Sequence, residues 1–207
     1  VSFQNLFIEY RTGAFLIPAL LIEFWISNGK DIKKSFQNPS WIWFLLTPIG
    51  LISYMLFLQR SVGDPFYFAT IQPLFGAQRE VGRMILLHQV FYRYGKMLVF
   101  VDHLSPLFFT VLLEALTGGL FLGLSLLLFK YSRLSYALYV LPSYLLPTVT
   151  GTFSSMPRYV LVLFPAFILA GRWLKDKNKK TKTLIYITLA ILSFFSISLF
   201  TRGYFIS

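Results

Sequence analysis

The sequence predicts an all-α integral membrane protein, and its composition and patterning carry that prediction. Of the 207 residues, 56% are hydrophobic and only 13% are charged, whereas soluble domains contain about 25% charged residues. The mean hydropathy is +0.66. Apolar runs alternate with short basic connections, as expected of a polytopic protein whose spanning helices each need roughly 20 apolar residues. Cysteine is absent, which excludes disulfides and thiolate metal sites.

The pattern indicates a single transmembrane domain over residues 1–207, with about six spanning helices. The predicted spans are 10–26, 41–58, 105–129, 134–149, 159–171 and 183–200. Trp41 and Trp43 stand at the entry of the second span, where aromatic belts form at a membrane surface. Gly118, Gly119 and Gly123 are expected to allow close helix packing in the third span.

A long loop over 61–103 separates the second span from the third, and its second half predicts an amphipathic helix. Cationic and apolar residues fall on opposite sides of this helix over 79–101, so it is expected to lie in the membrane interface. Simple anchoring and contact with an anionic lipid substrate are both open. One side carries Arg79, Arg83, Gln89, Arg93 and Lys96, and the other carries Ile85, Leu87, Phe91, Tyr94 and Leu98.

The distribution of basic residues predicts the orientation. Most of the 19 lysines and arginines lie in the short connections 27–40, 130–133 and 172–182, so this side is predicted to be cytoplasmic. Both ends of the chain, the long loop and the TGTFSSMPRY connection then lie on the opposite, outer face. The net charge of +11 does not indicate nucleic-acid binding, because the cations cluster in loops between apolar runs.

The loop stretch 60–80 is the first candidate for chemistry on the outer face. Gly63 and Pro65 break the preceding helix, and Asp64 can accept hydrogen bonds from the amides that follow it. Asp64 is therefore either a candidate catalytic carboxylate or a plain loop cap. The predicted substrate-loop residues are Gly63, Pro65, Gln72, Gln78, Arg79 and Glu80.

Glu114 lies well inside the third predicted span. A carboxyl at that depth costs several kcal/mol on most scales, so it is a candidate functional group. A structural hydrogen bond between helices is the alternative. His88 and His103 are isolated in the sequence, so no metal site is predicted.

Arg158 is the candidate ligand for a donor phosphate, because a guanidinium matches phosphate oxygens with two parallel hydrogen bonds. It follows Pro157 at the start of the fifth predicted span, where the uncapped amides of a helix also favour an anion. Ser155 and Tyr159 add hydroxyl donors, as does Ser154. The alternative is that Arg158 extends to lipid head groups without a specific ligand.

Three blocks resemble the PIG-V family of mannosyltransferases, which add the second mannose of the glycosylphosphatidylinositol anchor, and their bacterial relatives. GDPFYFATIQPLFGAQRE is similar to the family's outer-loop signature, and TFSSMPRYVLVLFPAFILAG to its later motif, in which S-x-P-R-Y opens a span. YRTGAFLIPALLIEFW resembles its T-R-x-T-G-x-x-L-x-P segment, with Tyr10 in place of threonine. The blocks occur in the family's order.

The resemblance implies a GT-C glycosyltransferase that uses a polyprenyl-phosphate sugar on the non-cytoplasmic face. The catalytic carboxylate of such enzymes usually lies in the first outer loop, between spans that should precede YRTG. The chain is therefore expected to correspond to the C-terminal half, with the general base in the part that precedes it. Asp64 is the best carboxylate left in this half, but the match does not assign it that role.

The predicted function is transfer of a hexose, by resemblance mannose, to a glycan or glycolipid acceptor. A transporter or lipid flippase, and a non-catalytic membrane subunit, are the alternatives. Membrane lipids are further expected partners, and no cofactor is predicted, with a divalent cation left open. Short loops and the absence of cysteine favour a bacterial cell membrane over the endoplasmic reticulum.

Overall fold

The computed structural model describes residues 15–31, 33, 37, 39–67 and 85–206. These residues form helices and connections without strands, so the all-α prediction is confirmed. The α-helices are α1 Leu16–Ser27, α2 Ile49–Val62, α3 Leu87–Phe100, α4 Pro106–Tyr131, α5 Leu134–Thr148, α6 Met156–Tyr159, α7 Phe164–Lys175 and α8 Lys179–Thr201, with 3-10 segments at Pro39–Leu46 and Val160–Val162.

Three helical stretches of the described part are long and apolar enough to cross a membrane: Ile42–Val62, Pro106–Tyr131 and Lys179–Thr201. A fourth is obtained if the bent pair Met156–Val162 and Phe164–Lys175 is one span. The described part of the chain therefore does not reach the predicted count of six. α5 has only 15 residues and would extend about 22 Å at 1.5 Å per residue, less than the hydrocarbon core of about 30 Å. α1 has 12 residues, and the first part of that predicted span lies outside the described residues.

The fifth predicted span is broken rather than straight. Its two parts meet at an angle of 87°, directly before Pro165, which cannot donate a backbone hydrogen bond and disfavours helical geometry at the residue before it. The carbonyl of Val162 at this break accepts a hydrogen bond of 2.9 Å from the Tyr139 hydroxyl of α5. The freed backbone group is thereby satisfied within the protein, as an apolar surrounding requires.

α4 is the central helix, and it packs against α3, α5, α6 and α7. α1 packs on α5, where the Glu23 carboxylate accepts hydrogen bonds from the Arg133 guanidinium and, at 2.7 Å, from the Ser135 hydroxyl. α8 has no buried residue. The core therefore lies around α4 and α5, with α8 at its edge.

The amphipathic helix predicted over 79–101 is shorter in the structure: α3 begins at Leu87, and the described residues Ile85 and Leu86 are not helical. α3 is also more than an interfacial anchor. Val90 and Tyr94 are buried, while Gln89 and Lys96 are exposed. The two-sided pattern is present in part, because Arg93 of the predicted polar side is half-buried and donates to Gly151. The apolar side packs on α4 of the same protein. This contact brings the end of the long loop to the core.

Candidate functional site

The Glu114 carboxylate joins three segments of the fold. Glu114 is 4% exposed, and its Oε2 accepts a 2.6 Å hydrogen bond from the Tyr94 hydroxyl of α3. Its Oε1 accepts a 3.0 Å hydrogen bond from the backbone N–H of Ser155. A buried carboxylate is stabilised by such donors, so this glutamate links α4 to α3 and to the connection after α5.

The Thr152 hydroxyl completes what we call the Glu114 cluster, made of Tyr94, Glu114, Thr152 and Ser155. It lies 3.2 Å from the Tyr94 hydroxyl and accepts a 3.0 Å hydrogen bond from the N–H of Ser154. Burial, and then the neighbouring Glu114 carboxylate, raise the pKa of Tyr94 above its ordinary value. Tyr94 therefore stays protonated and continues to donate to Glu114.

Phe153 packs the same connection onto α4. It is fully buried, and its ring centroid lies 4.9 Å from that of Phe91 and 5.0 Å from that of Tyr94. A Cβ on Gly118 would come within 3.2 Å of the Phe153 ring, whereas Gly119 has open space at that position. Of the three glycines predicted to allow close packing, Gly118 does so, whereas Gly123, like Gly119, faces open space.

Hydrogen bonds to main-chain carbonyls also hold the 150–159 segment, which carries TGTFSSMPRY, and Val149 directly before it. The N–H of Ile85 donates to the carbonyl of Val149 at 3.2 Å, and the Arg93 guanidinium donates to the carbonyl of Gly151 at 3.3 Å. Gly151 has a φ of +86°, which glycine adopts without steric cost. The last described part of the long loop therefore lies directly on this segment.

Ser155 has a φ of +66°, the left-handed conformation that costs a residue with a side chain roughly 1–2 kcal/mol. It is 5% exposed, and its N–H donates to Glu114. The carboxylate thus supports a strained turn immediately before α6. Such strain persists only where the surrounding structure fixes the backbone.

The structure places Arg158 and Tyr159 in the four-residue helix α6, where both side chains are half-buried. Their backbone N–H groups donate to the carbonyl of Ser155 at 3.1 and 3.2 Å, and the N–H of Met156 donates to Phe153 at 2.8 Å. These amides are therefore engaged within the protein. The expectation that uncapped amides at this helix start would attract an anion is wrong, and the guanidinium of Arg158 remains as the candidate phosphate ligand.

Asp64 forms the turn that the sequence predicts. Gly63 ends α2 with a φ of +83°, and Asp64 Oδ1 accepts a 2.8 Å hydrogen bond from the N–H of Phe66. α2 packs mainly against the 3-10 segment before it, whereas the donors to Glu114 given above come from α3 and the 150–159 segment. The predicted residues Gln72, Gln78, Arg79 and Glu80 lie outside the described residues.

The sequence did not single out Tyr94 or Thr152 as functional residues. Tyr94 was counted with the apolar side of its helix, although its hydroxyl is a donor that a buried carboxylate requires. That requirement is the signal that could have found it. Among the described residues, no group of three or more histidine, aspartate or glutamate side chains is arranged to hold a metal ion.

The arrangement combines a rigid, hydrogen-bonded turn with an arginine three residues after it. Such a site fixes the backbone from which the Arg158 side chain extends. The chain matches no protein-family model, no curated protein and no solved structure.

Proposed function

We propose that the protein is a membrane glycosyltransferase of the GT-C type, with six spans and its site on the non-cytoplasmic face. It would transfer a hexose, by resemblance mannose, from a polyprenyl-phosphate sugar to a lipid-linked or surface acceptor. The three motif blocks support this proposal, as do the apolar helices of the described part.

One observation carries the proposal furthest. The chain that follows the outer-loop block, from Ile85 through α3, packs on the 150–159 segment that contains the S-x-P-R-Y block. The stretch that follows the outer-loop block in sequence and the segment that carries the S-x-P-R-Y block thus both pack on α4. A common substrate site would require such a convergence, with Arg158 on the segment held by Glu114.

The proposed reaction is a displacement at the anomeric carbon of the donor sugar. The acceptor hydroxyl oxygen bonds to this carbon, and the bond from the carbon to the phosphate oxygen breaks. The electron pair leaves with the phosphate, giving the polyprenyl phosphate, whose charge Arg158 would stabilise. The hydroxyl proton passes to a carboxylate base. Asp64 is the best carboxylate in the chain for this role, although its Oδ1 accepts the turn hydrogen bond from Phe66 and its described contacts lie at the end of α2 rather than in the Glu114 cluster.

Replacing Arg158 by lysine tests the phosphate role. Lysine keeps the charge and removes the planar two-point contact. We expect kcat/KM for the polyprenyl-phosphate sugar to fall about tenfold or more, because a hydrogen bond to a charged group contributes about 1.5–3 kcal/mol. The assay is transfer of radiolabelled sugar by the intact protein in proteoliposomes.

Arg202→Lys is the matched control, since Arg202 is an exposed arginine at the end of α8 on the predicted outer face. It should leave transfer unchanged. Wild-type kinetics for Arg158→Lys across donor concentrations would eliminate the phosphate role and leave the arginine as a head-group contact.

A transporter or flippase is the second candidate, and the broken span favours it. Discontinuous spanning helices often form substrate sites in transporters, and α6 and α7 meet at 87° through a 3-10 segment. Reconstituted protein that moves a fluorescent polyprenyl-phosphate lipid between leaflets, without consuming the sugar, would favour this function. Sugar transfer without lipid movement would favour the transferase.

A further inference from the structure

We propose that Glu114 is a positioning residue, whose carboxylate fixes the turn at Ser155 and so presents Arg158 to the donor phosphate. The presentation of Arg158 to a donor phosphate rests on the proposed transferase function. The positioning of the 150–159 segment by Glu114 does not rest on that function, and it can be measured separately.

The contacts of the two carboxylate oxygens carry the first step. Oε1 accepts from the Ser155 N–H at 3.0 Å, and Oε2 accepts from the Tyr94 hydroxyl at 2.6 Å. One buried side chain on the central helix therefore restrains α3 and the 150–159 segment at the same time. Removing an acceptor here leaves a buried donor unsatisfied, which costs more than the bond itself contributes.

The position of Ser155 carries the second step. Its left-handed backbone sets the direction in which α6 starts, and its carbonyl accepts from the N–H of Arg158 at 3.1 Å. A change in the Ser155 turn is therefore passed directly to the backbone of Arg158. Glu114 acts on the arginine through this turn, rather than by touching the substrate.

Two substitutions separate reach from charge. Glu114→Gln keeps the length: its carbonyl can accept from Ser155, and its amide can donate to the Tyr94 hydroxyl, which then donates to Thr152, 3.2 Å away. Glu114→Asp keeps the charge but is one methylene shorter, so it cannot reach both donors. If Glu114 positions the segment, glutamine is tolerated better than aspartate; if its charge acts directly, the order reverses.

The first measurement is the labelling rate of a single cysteine at Ser154, in a chain that has no cysteine of its own. Ser154 is half-buried and its N–H is bonded within the cluster. In proteoliposomes with a maleimide probe, we expect Glu114→Asp to label about tenfold faster than wild type, because a buried hydrogen bond to a charged group is lost. The labelling rate of Glu114→Gln should stay within about threefold of the wild-type rate, since its hydrogen bonds are neutral rather than absent.

Ser125→Ala is the matched control on α4. Its buried hydroxyl donates at 2.6 Å to the carbonyl of Phe121 within the same helix, so its removal should leave the labelling rate unchanged. Wild-type labelling in Glu114→Asp would overturn the positioning role. So would Glu114→Gln labelling faster than Glu114→Asp.

The second measurement is transfer kinetics of the same variants with a polyprenyl-phosphate sugar. Glu114→Asp should raise KM for the donor about tenfold with a smaller change in kcat, as expected when donor binding is weakened more than the chemical step. Glu114→Gln should restore KM to near the wild-type value. If glutamine labels slowly but abolishes transfer, Glu114 still holds the segment, and the step from that segment through Arg158 to donor binding is wrong. If wild type transfers no sugar, the proposed function fails, while the labelling rates still decide whether Glu114 holds the segment.

Discussion

Replacing Tyr94 by phenylalanine removes one hydroxyl from the Glu114 cluster and keeps the aromatic ring. The ring is almost fully enclosed and packs 5.0 Å from the Phe153 ring, centroid to centroid, so its packing should be retained. The lost interactions are the 2.6 Å hydrogen bond to Glu114 and the longer 3.2 Å contact with Thr152. The substitution therefore isolates the hydroxyl group.

The magnitude follows from the nature of the acceptor. A hydrogen bond to a charged group contributes about 1.5–3 kcal/mol, so the free energy of unfolding should fall by that amount. Tyr144→Phe is the matched control, because Tyr144 of α5 is equally buried. Its hydroxyl donates at 2.8 Å to the backbone carbonyl of Gly118 on α4, the helix that carries Glu114. That acceptor is neutral, and bonds between membrane helices average about 0.6 kcal/mol.

The assay is reversible unfolding in mixed micelles with increasing denaturing detergent, followed by tryptophan fluorescence. We expect Tyr94→Phe to lower the free energy of unfolding by about 1–2 kcal/mol more than Tyr144→Phe. An equal or smaller effect for Tyr94→Phe would refute the account of the cluster, because it would mean that the carboxylate does not depend on this donor.

The pH dependence of the free energy of unfolding gives a second test of the Tyr94→Phe variant. The pKa of Tyr94 is raised in the folded protein above its ordinary value of 10.0, so the folded state holds this proton more tightly than the unfolded state. The contribution of the Tyr94 hydroxyl to stability is present below pH 10 and is lost as the pH rises above that value. Wild type should therefore lose stability above pH 10 more steeply than Tyr94→Phe.

The remaining predictions concern packing, topology and the outer turn. Gly118→Ala should destabilise the protein by about 1–3 kcal/mol through overpacking against the aromatic ring beside it, whereas Gly119→Ala, with open space, should be neutral in the same unfolding assay. An impermeant thiol reagent applied to whole cells should label cysteine at Ser154 and spare cysteine at Asp176; the reverse pattern would overturn the orientation. Asp64→Asn keeps the turn's acceptor oxygen, so it should preserve stability while lowering sugar transfer; full activity would leave Asp64 as a turn cap only.

Local chemistry made several features predictable from the sequence. The apolar composition predicts helices that can cross a membrane, and Gly63 with Asp64 predicts the end of α2 and the turn after it. The periodicity of α3 predicts the burial of Tyr94 and the exposure of Gln89 and Lys96. These features depend on residues within a few positions of one another, and that is the range over which periodicity and turn preferences act.

Glu114 was visible in the sequence as a buried carboxyl, but its partners were not. Tyr94 is 20 positions before it and Ser155 is 41 positions after it. No local rule connects residues at those separations. Only the packing of α3 and the 150–159 segment on α4 decided which donors reach the carboxylate.

The same distinction explains the correction at Arg158. The sequence by itself determined that an arginine follows a proline at the start of an apolar run. Tertiary structure decided that the run bends by 87° and that the amides around the arginine donate within the protein. The physical reason is that a buried backbone group must find a partner, and which partner it finds depends on the segments that the fold brings beside it.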